Sequence, residues 1–227
     1  KVFSVLPDSL EGLKPILLYP VIGLLLMGIL MTYVINPPTA AFNQWLAGAL
    51  ASMSTTSKVL MGFVLGAMMS FDFGGPLNKA AYVYGTASLA AADGSAVSSE
   101  IMAAVMIGGM VPPLAIALCT MLFKSKFTSK ERQSGVTNFI MGLSFISEGA
   151  IPFAASDPLR VIPSCIIGSA VAGGLSMALN CTLRAPHGGI FVLPTIGNPF
   201  GYLAAIVIGS VVGCVILAAL KKNKTEA

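Results

Sequence analysis

The sequence predicts an all-α integral membrane protein, a polytopic helical bundle with broken helices and at least one re-entrant hairpin. Three observations carry this expectation. Of 227 residues, 56% are hydrophobic and 10% charged, with a mean hydropathy of +0.86, whereas a soluble domain carries about 25% charged residues. The apolar runs are long and lack a period of two, which selects helices over a β-barrel. The 24 glycines and 14 prolines suit closely packed helices with breaks inside them.

The elements follow in order. Pro15 to Ile35 is the first span, long enough at 1.5 Å per residue to cross a core of about 30 Å. Asn36-Pro37-Pro38 is expected to end it, and residues 36–58, which carry the lone Trp45, read as an interfacial helix and connection. Val59 to Phe71 is apolar and runs into FDFGGPLNKAAYVYG, where Asp72, Gly74, Gly75, Pro76, Asn78 and Lys79 form the polar elbow of a broken helix. A polar loop with Asp93 and Glu100 leads to the span Ile101 to Phe123, in which Pro112-Pro113 predicts a kink. Lys124, Lys126, Lys130 and Arg132 then make the densest basic loop, cytoplasmic by the positive-inside rule. Val136 to Ile146 has about half the length needed to cross. Val161 to Cys181 and Phe200 to Leu220 are full spans, the last closed on the cytoplasmic side by Lys221, Lys222 and Lys224. With both basic segments inside, residues 136–160 must leave and return to one face. Five spans and one re-entrant hairpin satisfy these charge cues.

Other classes are excluded by what the charges and cysteines do. The net charge of +4 sits in short polar gaps, where it reports orientation rather than nucleic-acid binding. Cys119, Cys165, Cys181 and Cys214 are scattered through apolar runs, a pattern of small buried hydrophobes with no metal or disulfide spacing. No metal site and no cofactor are expected. The opening KVFSVLPDSLEGLKP is not read as a signal peptide, because the run behind it is too long and lacks a cleavage-type end. The absence of an initiator Met points to a fragment or a processed chain. There is no glycine-rich phosphate loop and no nucleophile elbow, so the chain is not expected to transfer phosphoryl groups alone.

The polar residues inside apolar sequence are the candidates for function. A charged side chain at mid-bilayer costs roughly 2.5–3.5 kcal/mol, and irregular backbone at that depth survives only where it is buried in protein or lines a wet cavity. SEGAIPFAASDPLRVIPS, Ser147 to Ser164, holds Glu148, Asp157 and Arg160 among three prolines. Asp157 and Arg160 are three apart and read as a structural ion pair next to the helix-starting Pro158. Asp72 and Lys79 read as a second pair. Glu148 has no local partner, and an unpaired intramembrane carboxylate is a functional candidate. His187, the only histidine, lies beside Gly188 and Gly189, which permit close backbone approach. Carboxylate, amide and imidazole suit sugar hydroxyls. These residues therefore predict a transporter or channel for a small polar solute, with an ion-coupled secondary transporter, in which Glu148 takes and releases the coupling ion, left open beside it.

SEGAIPFAASDPLRVIPS, together with SFDFGGPLNKAAY (Ser70 to Tyr82) and APHGGIFVLP (Ala185 to Pro194), resembles the IIC membrane domain of bacterial phosphotransferase-system (PTS) permeases of the fructose branch. The resemblance covers nearly all of residues 1–227, which look like the C-terminal part of such a domain, with Ser147 standing where many fructose-branch members have Thr. It implies a group-translocation system: a hexose, fructose foremost, with mannosyl-glycerate or another hexose derivative as the alternative, is bound and presented to a cytoplasmic IIB phosphocysteine domain. The same resemblance implies that Glu148 contacts the hydroxyl to be phosphorylated and that His187, with Gly188, is the second contact. Asn78 and Lys79 are implied near the sugar. A multi-pass protein of the bacterial plasma (inner) membrane, working as a homodimer, is implied as well. No phosphoryl-carrier residue is expected in this chain.

Overall fold

A computed structural model describes residues 11–91 and 93–223. The stretch 1–10 and Lys224 of the basic tail lie outside them. The chain divides into two compact units, Lys1–Ala49 and Leu50–Ala227. Among the described residues the regular structure is helical, with isolated bridges at Ala90 and Ala96 and at Ser99 and Leu183. Among the described residues, four helices are long and apolar enough to cross a membrane.

The first unit contains α1 (Tyr19–Leu30) and most of α2 (Asn36–Thr56). They join into one apolar helix, Lys14–Leu50, of 37 residues. The expected stop at Asn36-Pro37-Pro38 does not occur. Met31–Ile35 is a wider π-helical turn, and the Asn36 amide donates to the Met31 carbonyl five residues back. The two prolines therefore enter α2 in its first turn, where a missing amide hydrogen is tolerated.

The second unit is built on three long helices: α5 (Glu100–Leu122), α8 (Pro158–Ala178) and α9 (Pro199–Leu220). Small residues let them pack backbone to backbone. Gly168 faces Gly209 and Gly213, and a methyl on Gly168 would lie 2.7 Å from the Gly209 carbonyl. α5 passes through Pro112 and Pro113. Proline at position 112 removes the amide that would have bonded the Gly108 carbonyl. Ser169 donates to that carbonyl at 2.8 Å and Ser70 at 3.3 Å, and the two hydroxyls also bond each other. A buried acceptor freed by proline is thus satisfied from two neighbouring helices.

Two helical hairpins complete this unit. The first is α3 (Lys58–Phe71) and α4 (Pro76–Ala87), joined by Asp72–Gly75. α3 starts at an end of the bundle where Lys58 pairs with Glu100 at 3.3 Å and bonds Asn180. α4 returns there, because Ser88 bonds Ser99 at 2.5 Å just before α5. The broken segment therefore reverses rather than crosses, and the described residues do not make the expected five spans and one hairpin. Lys58 is neutralised by Glu100, so its charge carries little orientation signal.

The second hairpin is α6 (Ser129–Leu143) and α7 (Ile151–Ser156), joined through a short 3-10 turn at Ser147–Ala150. It starts and finishes at the opposite end of the bundle. There Lys126 Nζ donates to the Lys221 carbonyl at 2.5 Å, which brings the two basic segments together. The expected pair is present: Arg160 donates to both Asp157 oxygens at 3.0 and 3.1 Å. A second cation joins it. Lys221 Nζ, with 2% of its side chain exposed, lies 3.6 Å from Asp157 and 4.9 Å above the Phe127 ring. The hairpin tips meet within the bundle, and Phe73 of one packs into a core with Ala150 and Phe153 of the other.

Candidate functional site

The first tip is shaped by Asp72. Its carboxylate accepts from the amides of Leu77 (2.8 Å) and Asn78 (3.0 Å), which otherwise lack partners in the first turn of α4. Asp72 is thus a backbone cap, and the pairing with Lys79 expected from sequence is not its role. Asn78, 3% exposed, donates to the Met69 carbonyl at 2.6 Å and so ties α4 to the end of α3. Gly74, at φ +107°, carries the chain past the second tip. A methyl group there would sit 2.8 Å from Glu148 Oε1. Both the left-handed backbone and the close approach require glycine.

The second tip begins where α6 ends. The Ile146 amide bonds the Met141 carbonyl and the Phe145 amide bonds the Gly142 carbonyl, the two bonds of a Schellman cap. Its left-handed position, usually glycine, is Phe145 at φ 63°. That conformation costs about 1–2 kcal/mol and is held by packing. The ring lies against Gly109 of α5, 5.0 Å from the His187 ring and 6.2 Å from the Tyr82 ring. Ser147 and Glu148 follow in the 3-10 turn.

The loop between α8 and α9 supplies the third wall. Leu183 pairs with Ser99 at the Lys58 end, and Gly197 returns to the Thr182 carbonyl at 2.9 Å. Between them the loop descends to the second tip. Gly189, at φ +60°, is so close to the Leu143 carbonyl and the Phe145 amide that a side chain would overlap both. His187 is fixed beside Phe145 by this approach.

These three walls enclose a cavity of about 220 Å³ lined by Met69, Asn78, Lys79, Tyr82, Phe145, Ile146, Ser147, Glu148 and His187. Four of the five residues named from sequence, Asn78, Lys79, Glu148 and His187, line it together. Gly188 is not on its wall. At φ +125° it turns the backbone directly after His187. Tyr82 and Phe145 were missed, since an aromatic residue in apolar sequence looks like core. Phe145 carried no sequence signal of its left-handed backbone. Among the described residues, no donor lies within hydrogen-bonding or ion-pair distance of the Glu148 carboxylate, and no group of three His, Cys, Asp or Glu is placed to hold a metal.

The volume is below the roughly 300–1,000 Å³ of drug-sized pockets and fits one small solute. An acceptor carboxylate, an imidazole, an amide and two aromatic rings can bond hydroxyls around a compact ring and cover its apolar faces, and the Lys79 ammonium stands beside them. A larger apolar crevice of about 340 Å³ lies among α5, α6 and α9, with Ser210 its one polar side chain. It has no set of groups to orient a polar ligand.

The family profile "Phosphotransferase system, EIIC" matches residues 1–168. The whole chain is 52% identical to part of the PTS system fructose-specific EIIABC component of Bacillus subtilis (strain 168), spanning 35% of that protein. It is 52% identical to the fructose permease IIC component of Bacillus amyloliquefaciens, spanning 72% of it. Over 98% of the chain it is 47% identical to the PTS system fructose-specific EIIB'BC component of Escherichia coli (strain K12), covering 39% of that protein. The chain thus spans little more than a third of the multidomain relatives. No solved structure matches. With a family profile over most of its length and an IIC relative matched from end to end of this chain, the protein belongs to the phosphotransferase system EIIC family.

Proposed function

We propose that this chain is the sugar-translocating part of a fructose permease, which binds a hexose and presents it to a cytoplasmic IIB domain for phosphorylation during import. The observation that carries the reading is Glu148: an unpaired carboxylate at the meeting point of two opposed hairpin tips, in a small polar cavity it shares with His187. The fructose relatives named above support the sugar, and the fused EIIB'BC protein supports the partner. In this reading both hairpins are re-entrant, the Lys126–Lys221 end is cytoplasmic, and the protein is a multi-pass homodimer of the bacterial plasma membrane.

The chemistry follows from what Glu148 faces. Its oxygens accept a hydrogen bond from the sugar hydroxyl that is to react, and His187 and Asn78 fix the ring beside it. When phosphocysteine of the IIB domain arrives, the carboxylate draws off the hydroxyl proton as the new oxygen–phosphorus bond forms. Phosphorylation makes uptake irreversible without an ion gradient.

The test uses the full permease in vesicles. Glu148→Gln keeps size and an acceptor but removes the charge. Phosphorylation-coupled uptake should fall by about 10²-fold or more, and sugar binding should weaken far less. Concentrative uptake of free sugar driven by a proton or sodium gradient, with no phosphodonor present, overturns the reading in favour of an ion-coupled carrier.

A further inference from the structure

Lys79 is the cation of the cavity, and neither sugar binding nor folding accounts for it. It lies in the first turn of α4, where the helix dipole is positive and a second positive charge is unfavourable. The nearby carboxylate of Asp72 is engaged by the Leu77 and Asn78 amides, and no carboxylate among the described residues forms an ion pair with Lys79. Its side chain is exposed and lines the same cavity as Glu148. A neutral sugar needs no ammonium there, since amide, imidazole and carboxylate already supply donors and acceptors. An unpaired charged group in so apolar a chain is a functional candidate.

The reaction proposed above creates a demand for it. As the phosphoryl group moves, the sulfur–phosphorus bond of the donor phosphocysteine breaks and the thiolate leaves with the electron pair. The sugar oxygen bonds phosphorus, and its proton passes to Glu148. A phosphoryl group with about two negative charges must approach the Glu148 carboxylate, and like charges at such close range repel. Catalysis of such transfers rests on cations placed where the equatorial oxygens will be.

Resting on that reading, we propose that Lys79 is the phosphoryl-facing cation of the site. It neutralises the transferring group beside Glu148 and holds the newly formed sugar phosphate, and it is not a ligand of the free sugar. The cavity is thereby divided by charge: Glu148, His187 and Asn78 face the hydroxyls, and Lys79 faces the phosphate.

The experiment compares the full permease with its Lys79→Gln and Lys79→Arg variants. Labelled fructose binding at equilibrium should stay within about threefold of wild type in both. Single-turnover transfer from the phosphorylated IIB domain should fall by about 10²-fold in Lys79→Gln and recover in part in Lys79→Arg. Fructose phosphate should displace labelled fructose from wild type and Lys79→Arg, and do so at least tenfold less well from Lys79→Gln, the loss of one charge-assisted contact. Parallel loss of fructose binding in Lys79→Gln overturns the proposal, because Lys79 is then a sugar ligand. Unchanged transfer or unchanged displacement also overturns it. A wild-type permease that binds no fructose removes the function reading itself, and this proposal with it.

Discussion

The two hairpins enter the bundle from opposite ends and meet at one point, yet they are stabilised differently. The α3–α4 hairpin is held along its length. Gly62 and Gly66 put α3 in backbone contact with α8, and Gly66 also abuts Gly108 of α5. Its tip is tied by two of its own polar side chains: Asp72 caps α4, and Asn78 ties back to Met69. The α6–α7 hairpin is anchored near its base by Asp157, Arg160 and Lys221. Its tip holds a left-handed Phe145 and an unpartnered Glu148. One hairpin is a wall whose tip carboxylate is engaged by backbone amides. The other presents a free carboxylate, and the tips share a left-handed non-glycine residue, Phe73 at φ 43° in the first and Phe145 at φ 63° in the second, a strain typical of functional sites.

Substitutions can break this comparison, and the wall should be the more sensitive. Gly66→Leu forces a side chain into the Ser169 carbonyl. It should cost about 3 kcal/mol or more, read as loss of monodisperse protein and of thermal stability in detergent. If Gly66→Leu is as stable as wild type, the wall is not set by backbone contact.

Removing the anchor of the other hairpin comes next. Asp157→Asn leaves Lys221, 2% exposed, without its carboxylate. A fully buried pair would cost about 3–5 kcal/mol, but Arg160 is 38% exposed and screened, so a loss nearer 2 kcal/mol is expected. Lys221→Met added to Asp157→Asn should restore most of it, since an apolar side chain replaces the stranded ammonium. Stability lost equally in the single and double variants would place the effect elsewhere.

The contact between tips sharpens the contrast. Gly74→Ala should cost about 1–2 kcal/mol through its left-handed backbone and displace Glu148. Transport should therefore fall much further than the melting temperature suggests. Equal losses would mean that Gly74 serves folding alone.

The smallest effect concerns the loop. His187→Ala should weaken sugar binding by about 0.5–1.5 kcal/mol, the net value of one uncharged hydrogen bond, and His187→Gln should recover part of it. Equilibrium binding of labelled sugar measures both, and unchanged affinity in His187→Ala makes the imidazole a bystander.

Much of the site was legible because charge is rare in this chain. With 10% of residues charged, each carboxylate or ammonium in an apolar stretch stands out, and Glu148, Lys79, Asp157 and Arg160 were all visible. Spacing also disclosed the Asp157–Arg160 pair, because three residues on a helix bring two side chains to one face. Asp72 was misread for the same reason in reverse. Its sequence distance from Lys79 suggested a pair, but the carboxylate folds onto the amides of a helix that starts four residues later. Lys221 reads from sequence as a topological marker, and the structure makes it in addition a buried partner of a residue 64 positions away.

Sequence alone determined that the protein is helical and apolar, that the chain breaks around Asp72 and around Glu148, and which side chains are costly enough in that setting to suggest function. These follow from local composition, because hydrophobic length and a proline's missing amide act on neighbouring residues. Only the tertiary structure decided that the α3–α4 segment turns back instead of crossing and that three interrupted segments close one cavity. Those outcomes depend on contacts between residues far apart in the chain. Ser70 and Ser169 satisfy a carbonyl freed by Pro112, Gly74 admits Glu148, and Gly189 admits the end of α6.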